Sequence, residues 1–375
     1  MYNTNMFQFE LVVTEACNMS CKYCYMKNQK NSMSKDVFDA HFGYLPSLLK
    51  LYNEKSYAAV FFGGEPLLNW DLIEYILPII SKDPKCEQIT MPTNGLLLTR
   101  ERYKILKDFG VHVSISYDGL WQKEKPGSIC WVGEKSFKVM VSPERSTTLV
   151  DNYHHFLRMG IPSPDFTLVR DDIWTIEDVA KIDKELIELA DEVIRINRNV
   201  EPSFPGIFSL YMMDSVSGKR FGKRPYGCFA GCHGAGFMPD GKVYPCARFG
   251  SDKTYSMFDS KKSKMMEDGL HFSLFRDPAI AGLRDNPKCK KCNLYTFCNG
   301  GCTYSQLTNA PGYEFAIPYS PKGSDQKYEL MADPVENLCR ILKRCYSESF
   351  RIMNELKGTP EFQKLIQNML EVFNG

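Results

Sequence analysis

The sequence predicts an α/β chain: a partial barrel of six strand-and-helix units, then a cysteine-rich domain, then C-terminal helices. Two observations predict it. From Gln8 to about Arg195, short apolar runs alternate with amphipathic stretches, the pattern of parallel strands joined by helical crossovers. Beyond Gly227 that alternation gives way to cysteines at short spacings. The expected boundaries are 1–200 for the barrel, 201–226 for a Pro- and Gly-rich connection, 227–346 for the cysteine-rich domain and 347–375 for a helical tail.

Strands are expected at Gln8 to Val13, Tyr57 to Phe62, Glu87 to Met91, Val111 to Ser116, Ser136 to Val141 and Asp165 to Val169. Between them, Ser34, Asn69, Thr99, Ser146 and Thr175 stand where helix N-caps belong, each followed by a periodic apolar face. The exception is Tyr117 to Lys135, where Gly119, Pro126, Gly127 and Gly133 predict a loop. Six units fall short of the eight that close a barrel, so a TIM-like barrel open on one side is expected. Ligands of such folds gather at the C-terminal strand ends. Four segments converge there: Cys17 to Cys24, Gly63-Gly64-Glu65-Pro66, Thr93-Asn94-Gly95 and Tyr117-Asp118-Gly119. In the tail, Val335, Leu338, Ile341 and Leu342 share a helical face, and Thr359-Pro360-Glu361 starts another helix.

Lys plus Arg total 46 against 45 for Asp plus Glu, so no global field argues for nucleic acid or an anionic membrane surface. The N-terminus carries no secretory pattern and no stretch is long and apolar enough to span a membrane, which makes a cytoplasmic protein the expectation. Cytosolic thiols stay reduced, and 14 cysteines in clustered spacings then signal metal rather than disulfides.

The cysteines fall into two sets. Cys17-x3-Cys21-x2-Cys24 follows the first strand, and three thiolates there could hold one corner of an iron-sulfur cluster with a metal position left over. The second set comprises Cys228-x3-Cys232, Gly241-x4-Cys246, Cys289-x2-Cys292-x5-Cys298-x3-Cys302, and then Cys339 and Cys345. Zinc is the alternative, since paired Cys-x2-Cys ribbons bind it without any redox role. For the first set zinc would need a fourth ligand, and the nearest histidine is His41, inside a predicted helix. Cys86 and Cys130 read as unliganded thiols, small packed residues.

Cys-x3-Cys-x-aromatic-Cys together with Gly-Gly-Glu-Pro resembles the radical S-adenosylmethionine (SAM) superfamily, and the later cysteines resemble its SPASM extension. The resemblance covers nearly the whole chain and implies three 4Fe-4S clusters plus SAM. In such enzymes the open iron of the first cluster chelates SAM, and one electron cleaves it to a 5′-deoxyadenosyl radical that abstracts hydrogen from substrate. By the same resemblance Tyr23 packs near the adenine and the edge formed by Gly63, Gly64, Glu65 and Pro66 meets the SAM amino group. Asn94, Ser114 and Ser116 are further candidate contacts. The family pattern assigns Cys228, Cys232, Cys246 and Cys302 to one auxiliary cluster, and Cys289, Cys292, Cys298 and Cys339 to the other, with Cys339 preferred over Cys345. Full thiolate ligation there suits electron transfer.

Two subgroups share this cysteine complement. Anaerobic sulfatase-maturating enzymes oxidise Cys or Ser to formylglycine and place an Asp directly after the cysteine of Gly-x4-Cys as general base. Here that position is Ala247, which cannot take a proton, so formylglycine formation is second choice unless Asp240, Asp252 or another carboxylate substitutes. The other subgroup crosslinks ribosomally made peptides through thioether, carbon-carbon or carbon-oxygen bonds, and it is the main expectation. Its expected partners are a peptide or protein substrate, a reductant such as flavodoxin or ferredoxin and, with the first strand near Gln8 leaving no room for a leader-gripping domain, a separate leader-binding protein. Small-molecule dehydrogenation comes third. A non-catalytic electron-transfer protein would need neither the open position nor the glycine ledge.

Overall fold

The computed structural model describes residues 6–26, 29–123, 127, 131–132, 136–170, 172–198, 203–208, 228–231, 233–251, 255–262, 264–265, 291–294, 298, 301–302, 304–305, 336–360 and 362–363. Six parallel strands alternate with helices: β1 (Phe7–Thr14), α1 (Lys35–Tyr52), β2 (Tyr57–Gly63), α2 (Trp70–Ile80), β3 (Cys86–Thr93), α3 (Arg100–Asp108), β4 (Val111–Ser116), β5 (Phe137–Val141), α4 (Leu149–Arg158), β6 (Asp165–Leu168) and α5 (Ile176–Asn197). They pair in sequence order from β1 to β6. The α/β partial barrel expected from the sequence is therefore what forms.

Alternation along the strands decides the two faces. Phe7, Phe9, Leu11 and Val13 of β1 are fully buried in the core beneath the helices. Glu10 and Val12, and across the sheet Ser114, Ser116 and Lys138, take the opposite parity and line the concave side. The six strands of the barrel fall short of the eight that enclose a packed interior, and this face carries polar side chains.

Three of the five expected caps act as such. The Ser34, Thr99 and Thr175 side chains accept from Val37, Arg102 and Asp178 N–H, and Thr175 with Asp178 closes a reciprocal capping box. Asn69 is spent otherwise: its amide donates to the Val13 and Met33 carbonyls, tying α2 to the end of β1. Ser146 does not cap either, since a 3-10 turn at Pro143–Arg145 intervenes and its hydroxyl donates to Pro143 O. Thr148 is the residue before α4.

Beyond the connection, four short strands extend the same sheet: β7 (Gly234–Phe237), β8 (Lys242–Tyr244), β9 (Phe258–Asp259) and β10 (Lys264–Met265). β7 runs parallel to β1 on its free edge, and β8 to β10 follow antiparallel. The cysteine-rich region thus owns an apolar core, built on Val12, Met238, Tyr244 and Phe249. His41 of α1 closes the seam. Its Nδ1 meets Ser260 Oγ at 2.7 Å and its Nε2 meets Met238 O at 2.9 Å. Tyr44 stacks on Phe258, with ring centroids 3.7 Å apart.

Helix α6 (Glu336–Leu356) runs across the boundary expected at 346/347 and packs on α5, pinned by Arg344 to Asp183 and Arg351 to Asp191. Thr359 Oγ1 accepts from Phe362 N–H, the cap expected for the last helix. The greater part of the 201–226 connection, with Cys130, Cys232 and Cys289, lies outside the described residues.

Candidate active site

The cysteine loop leaves the C-terminal end of β1 and is gripped by the next three strand ends. Gly64 N–H donates to Thr14 O and Glu65 N–H to Ala16 O, both at 2.9 Å. Glycine is required twice: Gly63 sits at φ +142, and a Cβ on either glycine would collide with the Thr14 or Ala16 carbonyl oxygen. Those two amides are thus spent on holding the loop.

Glu65 explains its own place in the motif. Its buried carboxylate accepts from Leu67 N–H, the Thr93 hydroxyl and Asn94 N–H, at 3.0, 2.7 and 2.8 Å. Burial pushes its pKa up, and these donors pull against that. Pro66 opens the 3-10 turn that follows. Asn94 reaches the cysteine loop itself, donating to Asn18 Oδ1 at 2.7 Å while its oxygen accepts from Leu96 N–H. Ser114 Oγ accepts from Ser136 at 3.3 Å, and Ser116 is half-buried on the same concave face.

Cys17 and Cys21 are half-buried and Cys24 is exposed. Burial pushes the Cys17 and Cys21 thiols up, and in both the neighbouring cysteines add to it, so the three thiols lie within electrostatic reach of one another. Among the described residues no group of three or more His, Cys, Asp or Glu is drawn together to hold a metal ion as it stands. The donor set is nonetheless of one kind, thiol sulfur, which suits an iron-sulfur cluster. His41, the histidine nearest in sequence, is buried in the seam with both ring nitrogens engaged. Zinc therefore gains no fourth ligand from it.

Tyr23 does not hang free over the loop. Its hydroxyl donates to Asp118 Oδ2 at 2.6 Å, and the Arg145 guanidinium lies 5.0 Å from its ring centre. Asp118 is also paired with Arg145, at an N···O distance of 2.7 Å. A lone Asp before a turn glycine carries no signal of a partner so far along the chain.

In the second region Cys246 is buried, and Cys228 and Cys302 both act on its thiol, so three of the four cysteines assigned by resemblance to one cluster come together. Of the other set, Cys292 and Cys298 are described and half-buried, as is Cys339 on α6. Cys345 is packed in the barrel's core, where burial pushes its thiol up to about 12. Burial likewise raises Cys86 to about 11, beside Tyr57.

A carboxylate does stand beside Ala247. It is Glu10, on the concave face of β1, whose Oε2 accepts the Ala247 N–H at 3.0 Å. Burial raises it to about 7, against the pull of that N–H, Arg248 and Lys138. Arg248 in turn lies 4.6 Å from the ring centre of Tyr25, just past Cys24. Neither Asp240 nor Asp252 is needed to bring a carboxylate to this spot.

Residues 11–170 match the Radical SAM superfamily. Those residues form a radical SAM domain. Such a domain implies a 4Fe-4S cluster and SAM. The chain is 30% identical over 124 residues to the radical SAM cyclopropyl synthase TigE of Paramaledivibacter caminithermalis, a stretch covering 29% of this chain and 26% of that protein. It is 35% identical over 121 residues to a probable GTP 3′,8-cyclase of Methanococcus maripaludis, covering 32% and 39%. The matches thus span well under two thirds of either relative. Among solved structures, anSMEcpe with bound AdoMet shares the fold across 98% of both chains, with a TM-score of 0.67 at 17% identity. Streptococcus suis SuiB bound to its precursor peptide SuiA aligns over 88% of this chain and 76% of that one, with a TM-score of 0.53 at 18% identity. Among the described residues no helix is long and apolar enough to cross a membrane.

Proposed function

We propose that this chain is a radical SAM enzyme that oxidises a peptide or protein, most naturally a ribosomally made peptide, to a thioether, carbon-carbon or carbon-oxygen crosslink. The observation that carries this reading is the loop of three thiols clasped by a Gly-Gly turn above a polar, open barrel interior. The peptide class draws support from the fold shared over most of the chain with anSMEcpe and SuiB, both solved with peptides bound.

In this reading Cys17, Cys21 and Cys24 hold the first cluster. The auxiliary clusters take Cys228, Cys232, Cys246 and Cys302, and Cys289, Cys292, Cys298 and Cys339. When bound, the first cluster and SAM supply a one-electron route to a radical strong enough to take a carbon-bound hydrogen. The remaining tasks fall to the chain. Tyr23, the Gly63 to Pro66 edge, Asn94, Ser114 and Ser116 frame the place for SAM on the concave face. A substrate that loses a hydrogen atom in a net oxidation also gives up a proton, and a base must stand within reach of it. Ala247 offers none, and Glu10, anchored by one oxygen to the Ala247 N–H, supplies it. A reductant such as flavodoxin or ferredoxin completes the scheme.

Glu10 also favours a second reading, formylglycine formation, because it restores a carboxylate where Ala247 removes one. Anaerobic reconstitution with SAM and dithionite tests the class. The expected result is 5′-deoxyadenosine and, for three clusters, about twelve iron atoms per chain. Absence of 5′-deoxyadenosine would sink the radical reading. Mass spectrometry of a peptide substrate separates the two products: loss of two hydrogens with no aldehyde favours crosslinking, an aldehyde favours formylglycine.

A further inference from the structure

The turn at the end of β4 is tied to the cysteine loop by one side chain. Asp118 is buried, and its carboxylate accepts three hydrogen bonds: Oδ2 from the Tyr23 hydroxyl at 2.6 Å and from Arg145 Nη1 at 2.7 Å, and Oδ1 from Met140 N–H at 2.9 Å. Its own backbone is held as firmly. Asp118 O accepts from Asn152 Nδ2 of α4, and Asp118 N–H donates to Gln122 Oε1. The next residue, Gly119, has φ +66, and a Cβ there would collide with Asn152. Asp118 therefore has one place to be, fixed by β4, β5 and α4 together.

On the other side stands Tyr23, between Cys21 and Cys24 in sequence. The turn that carries it is closed by the Cys24 N–H, which donates to Cys21 O at 3.1 Å. The Arg145 guanidinium rests between the Tyr23 and Trp121 rings, with distances of 5.0 and 5.5 Å to their centres. A hydroxyl donating to a buried carboxylate makes a charge-assisted bond, about twice as strong as a neutral one. Groups that hold ligands from behind fix where those ligands point.

We propose that Asp118 is a positioning residue for the cysteine loop, acting through the Tyr23 hydroxyl to fix the turn from Cys21 to Cys24 before any cluster is loaded. For the cluster the inference rests on the proposed function, but its effect on the thiols of the cluster-free protein does not. The device is rigid barrel to Asp118, Asp118 to Tyr23, and Tyr23 to the turn that presents Cys21. Its chemistry is that of a brace, with no proton or electron moved.

Tyr23→Phe deletes the hydroxyl and keeps the ring on which Arg145 rests. In the cluster-free protein, alkylation of Cys21 by iodoacetamide, mapped by mass spectrometry, should accelerate about tenfold. Alkylation at Cys228 should stay at its wild-type rate, which a general loss of structure would not allow. After reconstitution, the EPR signal that responds to SAM should be lost to an iron chelator about 10- to 100-fold faster than in wild type. Asp118→Asn should act alike at Cys21, and the double variant should add nothing to Asp118→Asn, because both act along one path. Wild-type alkylation of Cys21 in Tyr23→Phe overturns the inference, as does an additive double variant. A wild-type protein that binds no iron would end the proposed function, and the alkylation measurement would still decide this one.

Discussion

The two cysteine regions are held in different ways. Around Cys17 to Cys24, hydrogen bonds from three other strand ends reach into the loop: Gly64 and Glu65 from β2, Asn94 from β3 and Asp118 from β4. Around Cys228, Cys246 and Cys302, a short sheet extension and a small apolar cluster do the holding, and the central thiol, Cys246, is buried. Burial pushes that thiol well above its usual range. The difference teaches which site the fold prepares in advance. The first loop is braced by the barrel, whereas the second region encloses a thiol that a metal would have to ionise against its burial.

The sharpest way to break this contrast is to remove one cysteine from each region. Cys21→Ala should abolish 5′-deoxyadenosine formation from SAM and dithionite, while Cys246→Ala should keep it and lower iron by about four atoms per chain. Equal loss from both variants would erase the distinction. Next in size, Glu10→Gln should cut peptide product about 10²- to 10⁴-fold with 5′-deoxyadenosine formation nearly intact, as removal of a general base does. If the two fall together, Glu10 acts on the barrel and not on the substrate.

The seam between the regions should be sensitive to acid. His41 is fully buried and burial lowers it to about 4, from 6.5. The unfolded chain therefore binds the proton first, so stability present above pH 6.5 is lost as pH falls toward 4, by on the order of 3 kcal/mol. Urea midpoints between pH 7 and pH 4, compared with those of His41→Gln, measure it. A variant with the same pH slope as wild type would assign the loss elsewhere. Smallest is Gly64→Ala, whose methyl group meets the Ala16 carbonyl. It should destabilise the cluster-free protein by about 1–3 kcal/mol in the same urea measurement.

Much of the scaffold was legible in local pattern. All six barrel strands lie within about two residues of where alternating apolar runs put them, and Ser34, Thr99 and Thr175 cap the helices they precede. Ser146 misled because a 3-10 turn competes for the same hydroxyl, and nothing in a Ser-Thr-Thr run says which residue the helix will take. The strands after Cys228 went unread because they are two to four residues long, too short for alternation to register.

The sequence by itself determined the partial barrel, the loop of three cysteines and the glycine turn beside it, because strand period, cap chemistry and ligand spacing are properties of neighbouring residues. Only the tertiary structure decided that Glu10 meets Ala247 across a separation of 237 residues, that Asp118 braces Tyr23 across 95, and that His41 locks a seam instead of binding metal. Those contacts depend on which strand ends and helix faces are brought together in space. A carboxylate has the same local surroundings in sequence whether it will face water, a guanidinium or a substrate, so its partner is set by packing alone.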